Sequence, residues 1–175
     1  MFTSPESNIE QFDVYAGLHV ADIGAGSGFY TLALARKVGE LGRVYAVDVQ
    51  RDLLERIRNQ AKAARLENVE IILGDAEKRG GTKLSDASVE RAILSNVLFQ
   101  ADDHDALVEE VKRILKPGGR LLLVDWTAGG VGGVGPKSGA VPRSDALKLF
   151  EKHGFSLEGE IGAGDYHYGL ILRKK

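Results

Sequence analysis

No cysteine occurs in the 175 residues. That excludes a disulfide framework, a thiolate zinc site and a cysteine nucleophile. An excess of charge of one sign is also missing: 23 Lys plus Arg stand against 25 Asp plus Glu, for a formal net charge of −2. A nucleic-acid binder normally carries a basic excess or a basic stripe, so an RNA or DNA substrate is disfavoured. Nor is there a long apolar run. None approaches the ~20 residues of a membrane span, and the polar N-terminus has no apolar signal core. The expectation is a cytoplasmic protein with no membrane span. What the chain does have is 43% hydrophobic residues, enough for the core of one domain of this length.

The stretch that organises the rest is His19–Tyr30, HVADIGAGSGFY. Val20, Ala21 and Ile23 make a short apolar run interrupted by Asp22, and glycines follow at positions 24, 26 and 28. A helical pattern then begins with Tyr30, Leu32 and Leu34. This reads as a buried strand, a glycine turn and a helix packed back on the strand. The dinucleotide fingerprint Gly-x-Gly-x-x-Gly fails here. Counted from Gly24 its third glycine falls on Phe29, and counted from Gly26 it falls on Thr31. The spacing present is Gly-x-Gly-x-Gly, with an acid two residues before it.

Read in order, Ser4-Pro5 caps a short helix expected over 4–16. After the glycine turn come a helix over 29–38, a strand over 43–49 and a helix from Asp52. A third strand over 69–73 ends in Gly74-Asp75-Ala76. A fourth, over 92–94, ends at Ser95-Asn96. A helix from Asp102 or Asp103 is stopped by Lys116-Pro117-Gly118-Gly119, and a fifth strand over 120–124 ends at Asp125-Trp126. The glycine-rich stretch 127–141 reads as a loop. A last helix over 144–153 precedes an antiparallel hairpin of 155–161 with 166–172. Alternation of this kind predicts an α/β fold, a doubly wound parallel sheet of Rossmann type with its ligand beyond the carboxyl ends of the strands. One domain over 1–175 accounts for the whole pattern.

The polar residues fall at that carboxyl edge. Asp48 lies about 20 residues beyond Gly28, the interval at which an acid meets ribose hydroxyls. Its charge repels a 2′-phosphate, which disfavours NADP but not NAD. Asp75, with Ala76 beside it, can accept from an exocyclic amine next to a flat ring; capping a turn is its plainer role. The run Asp102-Asp103-His104-Asp105 looks like a metal cluster, but it opens a helix, where acids serve as caps. No metal is expected.

The runs GLHVADIGAGSGFYTLALA, VYAVDV, GDA, LSNVLFQ and ILKPGGRLLLVDW resemble, in correct order, the motifs of the class I S-adenosylmethionine-dependent methyltransferases. They are most similar to small bacterial proteins related to the ubiquinone/menaquinone-biosynthesis type. The resemblance implies seven strands in the order 3-2-1-4-5-7-6 with the seventh antiparallel. It also implies S-adenosylmethionine as methyl donor and S-adenosylhomocysteine as product. Asp22 and Gly24 then take the methionine ammonium, and Ala25, Gly26 and Gly28 pass beneath the donor. Asp48 takes the ribose hydroxyls, Val49 lies against the adenine, Asp75 and Ala76 meet its edge, and Ser95 sits near the sulfonium. On the acceptor side the resemblance places Asn96 and brings Tyr166 and His167 beside Trp126, with His167 either the candidate base or an edge histidine with no catalytic task; Phe99 and Gln100 follow the fourth strand and are candidates to line the acceptor pocket, unless Phe99 simply packs. Tyr30 and Phe2 are candidates to cover the donor.

The leading reading is a methyltransferase acting on a small-molecule or protein acceptor. Two others stay open: a non-catalytic S-adenosylmethionine-binding module or partner subunit, and an NAD-dependent oxidoreductase. Departures narrow the acceptor. The Asp/Asn-Pro-Pro-aromatic signature of nucleic-acid amino-methyltransferases is replaced by Ser95-Asn96-Val97-Leu98, and the cysteines of arsenic methyltransferases are missing. The chain is also shorter around the acceptor pocket than the quinone enzymes. That leaves an open site, or one completed by a bulky substrate or by a second subunit in a homodimer.

Overall fold

Alternating strands and amphipathic helices resolve, in a computed structural model, into a seven-stranded sheet of order β3-β2-β1-β4-β5-β7-β6. The structure describes residues 4–127, 135–136 and 139–175. Part of the expected loop over 127–141 therefore lies outside the described residues, as does Phe2. The elements are α1 (Pro5–Gln11), β1 (His19–Ile23), α2 (Phe29–Val38), β2 (Arg43–Asp48), α3 (Arg51–Ala63), β3 (Val69–Leu73), β4 (Val89–Ser95), α4 (His104–Ile114), β5 (Leu115–Trp126), α5 (Arg143–Lys152), β6 (Phe155–Ile161) and β7 (His167–Lys174). A 3-10 turn, Leu98–Gln100, follows β4. Strands β1 to β5 pair in parallel, and β7 runs antiparallel to both β5 and β6.

Alternation along the central strands divides the core. Ala21, Ile23, Ala92, Leu94, Leu121 and Leu123 face α4 and α5, packing on Leu107, Val111, Ala146 and Phe150. Val20, Val44, Ile93 and Leu122 face α1 and α2, packing on Ile9, Phe12, Leu34 and Val38. Helix α3 covers the same side of β2 through Leu54 and Ile57 against Ala46.

Three boundaries differ from the sequence expectation by three residues or more. The first helix ends at Gln11 rather than 16, because Asp13 takes a left-handed backbone, φ 54°, which no α-helix continues through. The fourth strand begins at Val89, not 92. Its charged start is satisfied there: Glu90 accepts the His19 N–H at 2.9 Å and pairs with Lys116, while the Arg91 guanidinium lies 5.8 Å from the centre of the Phe12 ring. Strand β5 begins at Leu115, which pairs with Val89 before the register shifts at Arg91. The Lys116–Gly119 run is thus an irregularity at the strand's start, with Gly118 at φ 72°.

The segment after β3 is tied down by a buried ion pair. Glu110 of α4 is 1% exposed. It accepts from the Gly80 and Thr82 N–H groups at 2.8 and 3.1 Å, from Thr82 Oγ1 at 2.6 Å, and from both Nε and Nη2 of Arg113 at 2.8 Å. In return, Glu77 accepts the N–H groups of Asp102 and Asp103 at 2.8 and 2.7 Å, holding the start of α4. Burial opposes the Glu110 charge, but these donors outweigh it and lower its pKa from 4.5 to about 2. A carboxylate so depressed contributes stability above its unfolded pKa and loses it as pH falls through the folded value. Glu110→Ala leaves the Gly80 and Thr82 N–H groups without their acceptor and Arg113 with Asp86 and the Thr82 hydroxyl alone, and should lower the unfolding free energy by about 3 kcal/mol at neutral pH, read by denaturant titration. Glu110→Gln should shrink the loss of stability between pH 4.5 and 2, the window set by the shift.

Candidate active site

Strand β1 carries a carboxylate, Asp22, at its penultimate position, β2 ends in Asp48, and β3 runs into Asp75. The glycine turn after β1 lies beside all of them, between two adjoining cavities of about 270 and 280 Å³. Gly24, Gly26 and Asn96 line both. The turn is built from left-handed residues, with φ of 70°, 53° and 82° at Gly24, Gly26 and Gly28, a conformation that only glycine adopts without strain. A Cβ on Gly26 would meet nothing nearer than 3.8 Å, so the backbone there is open to a ligand. A Cβ on Gly28 would instead lie 2.7 Å from Ile57. Gly28 lines neither cavity; it starts α2 and lets α3 pack close.

The first cavity lies on the α1–α2 side of the sheet. Asp22, Gly24, Ala25, Gly26, Ser95, Asn96 and His167 line it. Asp22 is 2% exposed and accepts a 2.6 Å hydrogen bond from Thr31 Oγ1. Burial raises its pKa to about 6, the Thr31 hydroxyl opposes that, and the Asp48 charge adds to it. No cation pairs with Asp22 among the described residues. A buried carboxylate in that state is poised for a cationic ligand group.

The second cavity is lined by Asp48, Val49, Asp75, Ala76 and Gln100, together with Val97 and Leu107. Each Asp48 oxygen accepts one backbone N–H, from Gly26 at 2.9 Å and from Gln50 at 2.8 Å. A carboxylate oxygen offers a second acceptor position, so Asp48 is braced without being used up. Val49 is 62% exposed, a bare apolar face beside that acid. Asp75 accepts the Glu77 N–H at 3.0 Å and pairs with Lys78 at 2.9 Å; the Lys78 contact and that N–H lower its pKa.

Asn96 stands where the cavities meet. It is held at φ 57°, uncommon for a residue with a side chain. Its N–H donates to Val124 O at 2.8 Å, and its own carbonyl accepts from Gln100 Nε2 at 2.6 Å. Its buried Oδ1 has no hydrogen-bond partner, a polar atom that costs free energy until something donates to it.

The remaining acceptor-side residues separate. His167 reaches the first cavity, and burial lowers its pKa, so the ring is neutral near pH 7. Trp126, its cross-strand partner, lies against it with ring centres 4.2 Å apart and planes tilted by 36°. Trp126, Phe99 and Tyr166 line neither cavity. The Phe99 N–H is held by Asp125, and the Tyr166 carbonyl accepts from both N and Oγ1 of Thr127.

Among the lining residues that the sequence did not place at the site are two from α1, and one candidate gains partners. Helix α1 supplies Pro5 and Asn8 to the first cavity. Asn8 Nδ2 donates to the Tyr30 hydroxyl at 2.6 Å, and Ser95 hydrogen-bonds the same hydroxyl. Asn8 lies one helical turn before Phe12, on the face that turns inward, and that spacing is the signal that would have found it. Among Asp102–Asp105, Asp103 caps α4 by accepting the Ala106 N–H, and Asp105 pairs with Lys152 and His153.

Comparison with known proteins agrees with this geometry. A family model described as a methyltransferase domain matches residues 15–135. A demethylmenaquinone methyltransferase of Shouchella clausii is 28% identical over 120 residues, which span 69% of this chain and 50% of that protein. A ubiquinone/menaquinone biosynthesis C-methyltransferase of Hahella chejuensis is 32% identical over 68% of this chain and 47% of its own. The chain thus spans about half the length of these curated relatives. A crystal structure of a SAM-dependent methyltransferase from Aquifex aeolicus superposes with a TM-score of 0.89 at 26% identity, covering 98% of this chain and 89% of that one. The matching family model, the strand order and the glycine turn with its strand-end acids converge: the chain belongs to the S-adenosylmethionine-dependent methyltransferase domain family.

Proposed function

We propose that this chain is a methyltransferase that binds S-adenosylmethionine across both cavities and methylates a small-molecule or protein acceptor at the His167 end. The observation that carries this reading is the buried Asp22 carboxylate, which pairs with no cation among the described residues, beside a glycine turn whose backbone is open. The donor's ammonium is the cation that Asp22 lacks. S-adenosylmethionine supplies an already activated methyl group on a sulfonium.

The protein's task is then to hold, align and exclude water. Asp48 accepts the ribose hydroxyls on the positions left by the Gly26 and Gln50 N–H groups. Val49 and Ala76 flank the adenine and Asp75 accepts from its amine. Ser95 and Asn96 face the reacting end. His167, neutral and fixed against Trp126, accepts the acceptor's proton where the nucleophile carries one. Trp126 and Tyr166, beside His167 at the ends of β5 and β7, shape the approach to it, while Gln100 belongs to the second cavity. The curated relatives are named for quinone-type substrates, which makes demethylmenaquinone the first acceptor to try. The single domain over the full chain rests on the continuous sheet.

Calorimetry against S-adenosylmethionine, S-adenosylhomocysteine and NAD tests the donor; binding of NAD alone overturns the reading. Labelled methyl transfer into fractionated extract, with demethylmenaquinone as a defined arm, tests the acceptor. Asp48→Ala should weaken S-adenosylhomocysteine binding by at least about 1 kcal/mol, the scale of one charge-assisted hydrogen bond. Because an ammonium stabilises the ionised form of Asp22, affinity should fall as pH drops through about 6, and Asp22→Asn should flatten that dependence. His167→Ala should retain donor affinity and lose turnover on the acceptor that takes the label; unchanged turnover removes His167 as the base.

A further inference from the structure

Asp125 is the penultimate residue of β5, next to Val124, which lines the first cavity. Alternation turns Asp125 to the opposite face, and it lines neither cavity. It is nevertheless fully buried, at 0% exposure. Its Oδ1 accepts the Trp126 N–H at 2.8 Å, its Oδ2 accepts the Phe99 N–H at 3.3 Å, and the Leu98 N–H donates to it as well. Two of these three donors belong to the 3-10 turn after β4.

That turn is flanked by cavity wall. Asn96, Val97, Gln100 and Ala101 all line the donor cavity, and Asn96 lines the other too. Val97 packs so tightly over the glycine turn that a Cβ on Gly24 would lie 2.4 Å from its Cγ2. The loop is gripped at two places: the Asn96 N–H on Val124 O, and the Leu98 and Phe99 N–H groups on Asp125. A strained Asn96 persists only where its surroundings fix it.

We propose that Asp125 is a positioning residue: from the far face of the sheet its carboxylate sets loop 96–101, and through that loop the affinity of the donor cavity. Its affinity arm rests on the S-adenosylmethionine reading; its structural arm does not. The chemistry requires an anion. Three N–H donors converge on two oxygens, which a carboxylate satisfies and a side-chain amide, carrying donors of its own, does not. The other groups facing it are Tyr168 of β7, whose hydroxyl has no hydrogen-bond partner, and His104 of α4. Burial pushes the Asp125 carboxyl up to about 6 against the pull of the backbone donors, so mild acid loosens the grip.

Amide hydrogen exchange in the ligand-free protein and calorimetry with S-adenosylhomocysteine test this together. Asp125→Asn should speed exchange at Leu98 and Phe99 by about tenfold or more, the scale of a lost hydrogen bond to a charged group, while Val108 and Leu122 stay protected. The same variant should weaken S-adenosylhomocysteine by about tenfold. Tyr168→Phe, which deletes only a hydroxyl without a partner, should leave both unchanged. Unaltered exchange at Leu98 and Phe99 in Asp125→Asn overturns the proposal, as does unaltered affinity. Should that variant fail to fold, the wild-type Leu98 and Phe99 amide resonances decide. They should move with the Asp125 carboxyl signal between about pH 7.5 and 5, and flat resonances overturn the proposal. Wild-type protein that binds no S-adenosylhomocysteine ends the functional reading, while the exchange measurement still decides the role of Asp125.

Discussion

A carboxylate held out of water must find donors or a cation, and this structure is arranged around how each buried acid meets that demand. Glu110 meets it completely, with Arg113, Thr82 and the backbone of the loop after β3. Asp125 meets it with backbone N–H groups alone. Asp48 meets it with one N–H on each oxygen and keeps acceptor positions over. Asp22 has the hydroxyl and the backbone N–H of Thr31 and, among the described residues, no cation. The acids thus form a series, from satisfied to deficient. The satisfied ones hold loops in place, and the deficient one faces the cavity.

The two faces of the sheet divide this labour. On the α4–α5 side, Glu110, Glu77 and Asp125 fasten the loops that follow β3 and β4. On the α1–α2 side, Asp22, Asn96 and His167 present polar atoms to the first cavity. A parallel sheet brings all its strand ends to one edge, so a loop fastened from one face becomes a wall for a ligand lying on the other.

Much of this was legible in the sequence. Apolar periodicity and glycine punctuation placed the strands and helices, and α2, β3 and β6 keep the expected limits. The strand-end acids Asp22, Asp48 and Asp75 stood out because an acid closing an apolar run has no packing reason to be there. What escaped notice depended on partners distant in the chain. Nothing local shows that Glu90 and Arg91 continue a strand, since their charges are satisfied by His19, Lys116 and Phe12. The motif spacing drew Gly28 into the donor site, whereas its neighbour in space is Ile57. Asp125 looked like one more edge acid; only the strand's alternation, fixed by pairing with β7, turns it away from the cavity. Phe99 followed β4 and so looked like pocket lining, but its visible tie is through its backbone.

Helix α1 is small, yet it is bound at both ends of the site. Asn8 holds Tyr30 on α2, and Gln11 Oε1 accepts the Gly162 N–H at 3.0 Å, just past β6. The C-terminal strand finishes at the other edge of the sheet, where Arg173 lies opposite Arg120 at the amino end of β5's regular run. Handling of the protein is therefore asymmetric. A fluorophore carried at Glu6 stands one residue from Pro5, on the wall of the first cavity, and reports on what enters there. One carried at Arg173 lies at the opposite edge of the sheet, clear of that entrance.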